Sequence, residues 1–328
     1  MNKLFGHRQI IQGLAGAAVE HRLSHAYIFE GAHGIGKHTV AQWLSQVVMC
    51  RNGGGCGRCD DCMKTAAGSH PDVTVADQSY FQNDKIKAGS VEAVRLIRQD
   101  AYTKPFMGPV KLYIIPQADE MLAPAQNSLL KLLEEPPEYC IFVLLCENAN
   151  KLLETVRSRS VLIRFLPLNE EDMMAFLRTR YEEKTAKKLL RPSQGIPGRA
   201  LQIAEDKEFL KRRDQAAELF CSFFQNGDLF PFCSYLEKER DFWEEILDGL
   251  SDLAAEAAEC LCGQRESSEY ARKLARLVPV CGLVEVFSIL QKAAGRLRAN
   301  ANFSLTVTEL LIQCQLAKER TGEENKNG

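Results

Sequence analysis

The stretch HAYIFEGAHGIGKHTV, residues 25–40, constrains this chain more than any other. An apolar run leads into a glycine-rich turn and then a helical pattern, so residues 25–31 are predicted as a buried strand. Val40, Leu44, Val47 and Val48 recur at i, i+4, i+7 and i+8, the apolar stripe of the helix that follows. A strand–turn–helix unit of this kind points backbone N–H groups at an anion, with the partial positive charge of the helix N-terminus behind them. Gly31, Gly34, Gly36 and Lys37 stand where a phosphate-binding loop needs them, with Lys37 reaching for the outer phosphates. The next position should carry the hydroxyl that holds magnesium. It is His38, and an imidazole is a poor ligand for an ion that prefers an octahedron of oxygens. Thr39 has a hydroxyl but lies ~100° further round the helix.

Residues 110–116 (VKLYIIP) and 139–147 (YCIFVLLCE) are two further predicted strands, separated by a predicted helix at 127–137 that paired prolines end. Strand–loop–helix repetition predicts a parallel sheet with helices on both faces. A working ATPase of this type needs an acid at the edge of the second strand, for magnesium and the attacking water. Pro116 and Gln117 stand there instead, and Asp119 and Glu120 follow at the expected start of the next helix. Two independent magnesium contacts are therefore missing. After residue 166 strand signals fade: 170–204 reads as a small helical bundle with a GIPG turn at 195–198. From about 208 the chain is helical, broken near 226–231 and 262–268. The fold class is α/β plus all-α, and the polar end, 321–328, is expected to be disordered.

Twelve cysteines in 328 residues call for thiols or a metal rather than the disulfides of a small secreted chain. Cys50, Cys56, Cys59 and Cys62 fall within thirteen residues, with glycines between them for tight turns. Four thiolates with no position left for water make a closed, structural zinc site. The other eight cysteines lie mostly in apolar patterns and read as small core residues. The histidines have no carboxylate or nucleophile beside them at motif spacing. The net charge of −2 gives no general attraction to DNA or anionic membranes. The basic run from Arg178 to Arg191 is interrupted by Glu182 and Glu183 and reads as a solvated helix face. Without a leader or an apolar run near membrane-spanning length, the expectation is a cytoplasmic protein.

Together, LSHAYIFEGAHGIGKHT, the four-cysteine loop, GSHPDV (68–73), NSLLKLLEEPPE, KLLETVRSRS (151–160) and RANANFSLTVTELL (298–311) resemble the bacterial clamp-loader AAA+ family of DNA polymerase III. The resemblance covers nearly the whole chain. It implies a RecA-like domain at 1–166, a helical lid at 167–206 and a helical collar at 207–320. It also implies a pentamer with the gamma/tau ATPase subunits and delta, acting on the sliding clamp and primer–template DNA. The family's Ser-Arg-Cys motif corresponds to Ser158, Arg159 and Ser160, so its cysteine is a serine while its arginine, a finger offered in trans, is intact. Gly198 occupies the place of the lid arginine of active members, with Arg199 one residue late. Cys146 and Glu147 stand where those members sense phosphate with threonines. The resemblance thus points to a stationary subunit holding ATP or ADP weakly or not at all. The alternatives are an active ATPase using Asp119 or Glu120, and a stand-alone kinase or helicase, for which no substrate motif exists.

Overall fold

The computed structural model describes residues 4–81, 86–263 and 267–324. It divides into two compact units, 1–201 and 202–328, with the division inside a helix of the expected lid.

The first unit begins with α1 (Arg8–Val19), β1 (Ala26–Glu30) and α2 (Lys37–Met49), followed by α3 (Asp60–Ala66), β2 (Val73–Val75) and α4 (Val91–Ala101). Next come β3 (Lys111–Ile115), α5 (Ala123–Glu134), β4 (Cys140–Cys146), α6 (Glu154–Arg157) and β5 (Val161–Arg164). The five strands form one parallel sheet in the order β2-β3-β4-β1-β5. This is the parallel, helix-covered sheet of the expected RecA-like AAA+ domain.

Successive strand residues face opposite sides of a sheet, and here both sides are buried. Tyr27 and Phe29 of β1 pack with Ile141, Val143 and Leu145 of β4 and with Leu14, Val40 and Leu44 from α1 and α2. Ala26 and Ile28 join Phe142 and Leu144 on the opposite face, against Ile97 of α4 and Leu129 and Leu132 of α5. That arrangement explains why β1, β3 and β4 read as continuous apolar runs. β5 is different: it pairs only with β1, and Val161 and Leu162 are exposed, as befits an edge strand.

Buried polar groups fix the rim of this unit. Lys111 of β3 directs its ammonium to the Asp100 carbonyl (2.9 Å), the Asp100 carboxylate (2.9 Å) and Thr103 Oγ1 (2.6 Å), closing the C-terminus of α4. The helices α7 (Glu170–Leu177), α8 (Glu183–Leu190) and α9 (Pro197–Glu205) follow. α7 starts at Asn169, whose side chain accepts the Asp172 N–H.

The second unit is all-helical among the described residues: α10 (Lys207–Asn226), α11 (Phe230–Lys238), α12 (Trp243–Leu261), α13 (Glu269–Leu277), α14 (Val280–Arg298) and α15 (Phe303–Glu324). Phe220, Phe224, Phe232, Leu250, Leu290 and Leu311 meet in one core. Arg212 forks onto Glu245 at 2.9 and 3.1 Å, also reaches Asp206 at 3.1 Å, and stacks on Phe242. The last helix continues to Glu324; the rest of the expected disordered tail, 325–328, lies outside the described residues. Among the described residues no single helix is long and apolar enough to cross a membrane.

Candidate functional site

A cleft of about 960 Å³ opens over the glycine loop. It is lined by Gly34, Gly36, Lys37, His38 and Thr39 from the loop and α2, by Pro116, Gln117, Asp119 and Glu120 after β3, and by Cys146 and Glu147 after β4. Of the sequence-predicted loop residues, Gly34, Gly36, Lys37 and Thr39 line the cleft, whereas Gly31 does not and packs against the Phe165 backbone. Gly36, with φ of 110°, turns the chain into α2. Lys37 curls back so that its ammonium donates to the Gly31 carbonyl (2.5 Å) and the Ala32 carbonyl (3.0 Å). Burial holds the Lys37 pKa below its usual value, with Glu147, Cys146 and Asp119 opposing the shift.

Of the side chains expected near magnesium, Asp119 and Glu120 make hydrogen bonds within the protein. His38 and Thr39 are exposed at the start of α2. Asp119 sits in a single 3-10 turn, Ala118–Glu120, and its Oδ2 accepts the N–H groups of Glu147 (3.2 Å) and Asn148 (3.1 Å). It braces the loop after β4. Glu120 accepts from the Gln117 amide at 3.0 Å. At the mouth of β1, Glu30 accepts the Ala149 N–H (2.8 Å) and pairs with Arg164 (2.9 Å). The Ala149 hydrogen bond leads in holding Glu30 below the usual carboxylate range, and Arg164 adds to it.

α9 lies directly on the loop. Gly198 donates its N–H to the Gly34 carbonyl at 2.9 Å, and a Cβ on Gly198 would stand 2.5 Å from Gly34 Cα. Gly34 itself has φ of 75° and no room for a side chain against Gly198. Gly198, the residue expected in the place of a lid arginine, thus makes a backbone-to-backbone contact. Arg199 bonds Gln194 at 2.7 Å and is not part of the cleft lining. Sequence reasoning identified Gly198 as a loss; its close approach to Gly34 carried no sequence signal.

Arg159 follows α6 near the C-terminus of α5. Its Nη1 donates to the Thr155 carbonyl (3.1 Å) and to Ser158 Oγ (3.3 Å), and its Nη2 lies 3.0 Å from Glu134 Oε1. Ser158 in turn donates to the Thr155 carbonyl at 3.2 Å. Neither residue lines the cleft of its own chain.

The four cysteines of the glycine-rich loop come together. The Sγ atoms of Cys50, Cys56, Cys59 and Cys62 all lie within 4.8 Å of one another, a set that could hold a metal ion. Gly53, Gly54, Gly55 and Gly57 all have φ near +70°, a left-handed backbone that glycine adopts without steric cost. Backbone N–H groups point at sulfur, Cys56 N to Cys50 Sγ at 3.2 Å among them. N–H groups of Arg58 and Cys59 lead in pulling the Cys56 thiol down to about 6, whereas burial pushes Cys62 up to about 12.

Beneath the cage, Asp61 pairs with Arg51 (2.6 Å) and lies 3.6 Å from His70 Nε2. His70 Nδ1 accepts the Asp72 N–H at 3.1 Å, which leaves its proton on Nε2, facing Asp61. The Asp72 carboxylate accepts three N–H groups, from Phe106 (2.6 Å), Met107 (2.7 Å) and Gly108 (2.8 Å). Of the remaining cysteines, Cys140, Cys146, Cys221 and Cys314 are buried as expected, but Cys262 and Cys281 are exposed. They correct the reading of all eight as core residues: each sits at a helix end, where an apolar pattern fixes no buried face.

The family model described as DNA polymerase III, delta subunit, matches residues 6–169, half of the chain. The chain is 32% identical to DNA polymerase III subunit delta' of Bacillus subtilis over 241 residues, 70% of each protein. It is 30% identical over 200 residues to DNA polymerase III subunit tau/gamma of Haemophilus influenzae, 58% of this chain but 28% of that one. A solved DNA polymerase III gamma subunit-related protein of Thermotoga maritima overlays with a TM-score of 0.42 at 15% identity, covering 94% of this chain and 99% of that one. By the family model and the delta' relative, the chain belongs to the delta-prime family of DNA polymerase III clamp-loader proteins.

Proposed function

We propose that this chain is a clamp-loader subunit that turns over no ATP of its own and acts on ATP chemistry only through a neighbour. The observation that carries this is Asp119: it is placed to replace the missing strand-end acid, yet its Oδ2 holds the N–H groups of Glu147 and Asn148. His38 in place of the magnesium hydroxyl, and Pro116 and Gln117 in place of the strand-end acid, support the same reading, since both positions expected to hold the cation for phosphoryl transfer carry other residue types. ATP or ADP would then rest only on the cradle of Gly31, Gly34, Gly36 and Lys37, with Thr39 beside it. The test is ATP turnover by the purified chain. Rates of a few per second, lost in Lys37→Ala, would instead identify an active ATPase.

Arg159 is the residue proposed to reach a neighbouring ATPase site, with Ser158 holding its fork. A guanidinium keeps its charge and grips phosphate with two parallel hydrogen bonds. Gamma/tau and delta subunits are the partners proposed, with the clamp and primer–template DNA met through the assembly; membership of the delta-prime family supports a place in such a complex. The second unit suits a collar: Leu305, Ile312 and Leu316 form an exposed apolar stripe on α15, opposite the face that buries Leu310, Leu311 and Cys314. The domain scheme is accordingly a nucleotide-type domain at 1–166, a lid at 167–206 and a collar at 207–320. Zinc is the ion proposed for the four cysteines, since a closed tetrahedron of thiolates at about 2.3 Å is its structural site.

A further inference from the structure

We infer that Glu134 is a positioning residue for the Arg159 finger, a counter-ion paired with one of the guanidinium nitrogens needed for phosphate. The inference rests on the trans role proposed for Arg159. Arg159 has five N–H donors in a rigid fork. Its Nη1 is committed to the Thr155 carbonyl at 3.1 Å and Ser158 Oγ at 3.3 Å. The edge left to grip a phosphate is therefore the one formed by Nε and Nη2. Glu134 Oε1 lies 3.0 Å from Nη2, one of the two nitrogens of that edge.

The position of Glu134 is costly without a cation. It is the last residue of α5, where the partial negative charge of the helix C-terminus repels a carboxylate. Arg159, arriving from the turn after α6, relieves that repulsion. Both side chains are partly exposed, at 37% and 47%, so the pair is weak enough to exchange. A γ-phosphate carries more charge than a carboxylate and offers two oxygens to the fork, so it displaces Glu134 once a neighbouring site is brought close. Until then the carboxylate neutralises the finger and biases it away from phosphate.

Removing this competitor should raise, not lower, the ATPase rate of the assembled complex before DNA is added. In a complex reconstituted from this chain with gamma/tau and delta subunits, Glu134→Gln is expected to increase DNA-independent ATP turnover about two- to five-fold, the range of an exposed ion pair. Glu134→Asp should stay near the parent rate, and Glu134→Gln with Arg159→Ala should show no increase over Arg159→Ala alone. A structural lesion would not produce a gain. An unchanged or lowered rate in Glu134→Gln, while Arg159→Ala still depresses turnover, overturns the role of Glu134 and leaves the finger standing. No effect of Arg159→Ala removes the finger itself, and this inference with it.

Discussion

Replacing Gly198 by Ala should separate α9 from the glycine loop. The added methyl would lie 2.5 Å from Gly34 Cα, 3.0 Å from its carbonyl oxygen and 3.2 Å from its carbonyl carbon, all backbone atoms with no rotamer to give way. Carbon atoms in contact sit at about 3.5–4.0 Å, so the helix must retreat by roughly 1 Å. That retreat stretches the 2.9 Å hydrogen bond from Gly198 N–H to the Gly34 carbonyl beyond bonding range. Overpacking of this kind costs about 1–3 kcal/mol and the lost hydrogen bond about 1, while Ala returns up to about 1 through its helix propensity. The net expectation is a loss of about 1–3 kcal/mol. For a unit of this size each kcal/mol lowers Tm by about 2–4 °C. Thermal unfolding followed by circular dichroism reads the change directly. An unchanged or raised Tm for Gly198→Ala would refute the close approach of α9 and the glycine loop.

The cysteine cage should hold one zinc per chain by elemental analysis, with Cys59→Ser losing the metal and exposing the remaining thiols to titration; full thiol reactivity in the metal-replete parent protein would contradict it. Binding at such sites is worth roughly 10–16 kcal/mol in peptides, so chelation should loosen residues 50–62 to proteolysis. Asp72→Asn should destabilise the first unit by about 1–3 kcal/mol at neutral pH, because the three N–H groups of residues 106–108 lose a charged acceptor. Burial acts to raise the Asp72 pKa, but those N–H groups and His70 together leave it below the usual aspartate value. A carboxylate depressed in the folded state stabilises fully above its unfolded pKa, near 4, and loses that contribution as pH falls through the folded value. The stability gap between parent and Asp72→Asn should therefore close below about pH 4; a gap independent of pH would show that the carboxylate's charge plays no part.

The parts of the fold that were legible in the sequence are those whose pattern is local. β1, β3 and β4 are buried on both faces, so their apolar runs announced them within a residue or two. β2, only three residues long, and β5, with Val161 and Leu162 exposed at the sheet edge, carry too little apolar signal to stand out. In the site, the glycine loop and the four cysteines were readable because their function depends on spacing along the chain. The contacts that set its chemistry join distant segments: Gly34 with Gly198, Asp119 with the loop at 147–148, Glu134 with Arg159. No periodicity records such a meeting. The sequence puts Asp119 at the start of the next helix, but the structure corrects this: Ala118–Glu120 is a separate 3-10 turn, α5 begins only at Ala123, and the bracing of the loop after β4 by Asp119 emerges only from the folded chain.

The central claim is that this subunit lacks turnover of its own yet supplies an arginine to a neighbour. The most direct measurement is DNA-stimulated ATPase of the reconstituted complex carrying Arg159→Ala, with Arg159→Lys beside it and assembly checked by size. Fingers supplied in trans accelerate phosphoryl transfer by roughly 10³–10⁵ in GTPases, so loss at one site of several should remove a large share of the stimulated rate. Arg159→Lys should rescue little, because an ammonium lacks the fork. The account predicts an intact complex with depressed ATPase and clamp loading in both variants; parent-level rates in Arg159→Ala would contradict it and leave the chain as scaffold alone.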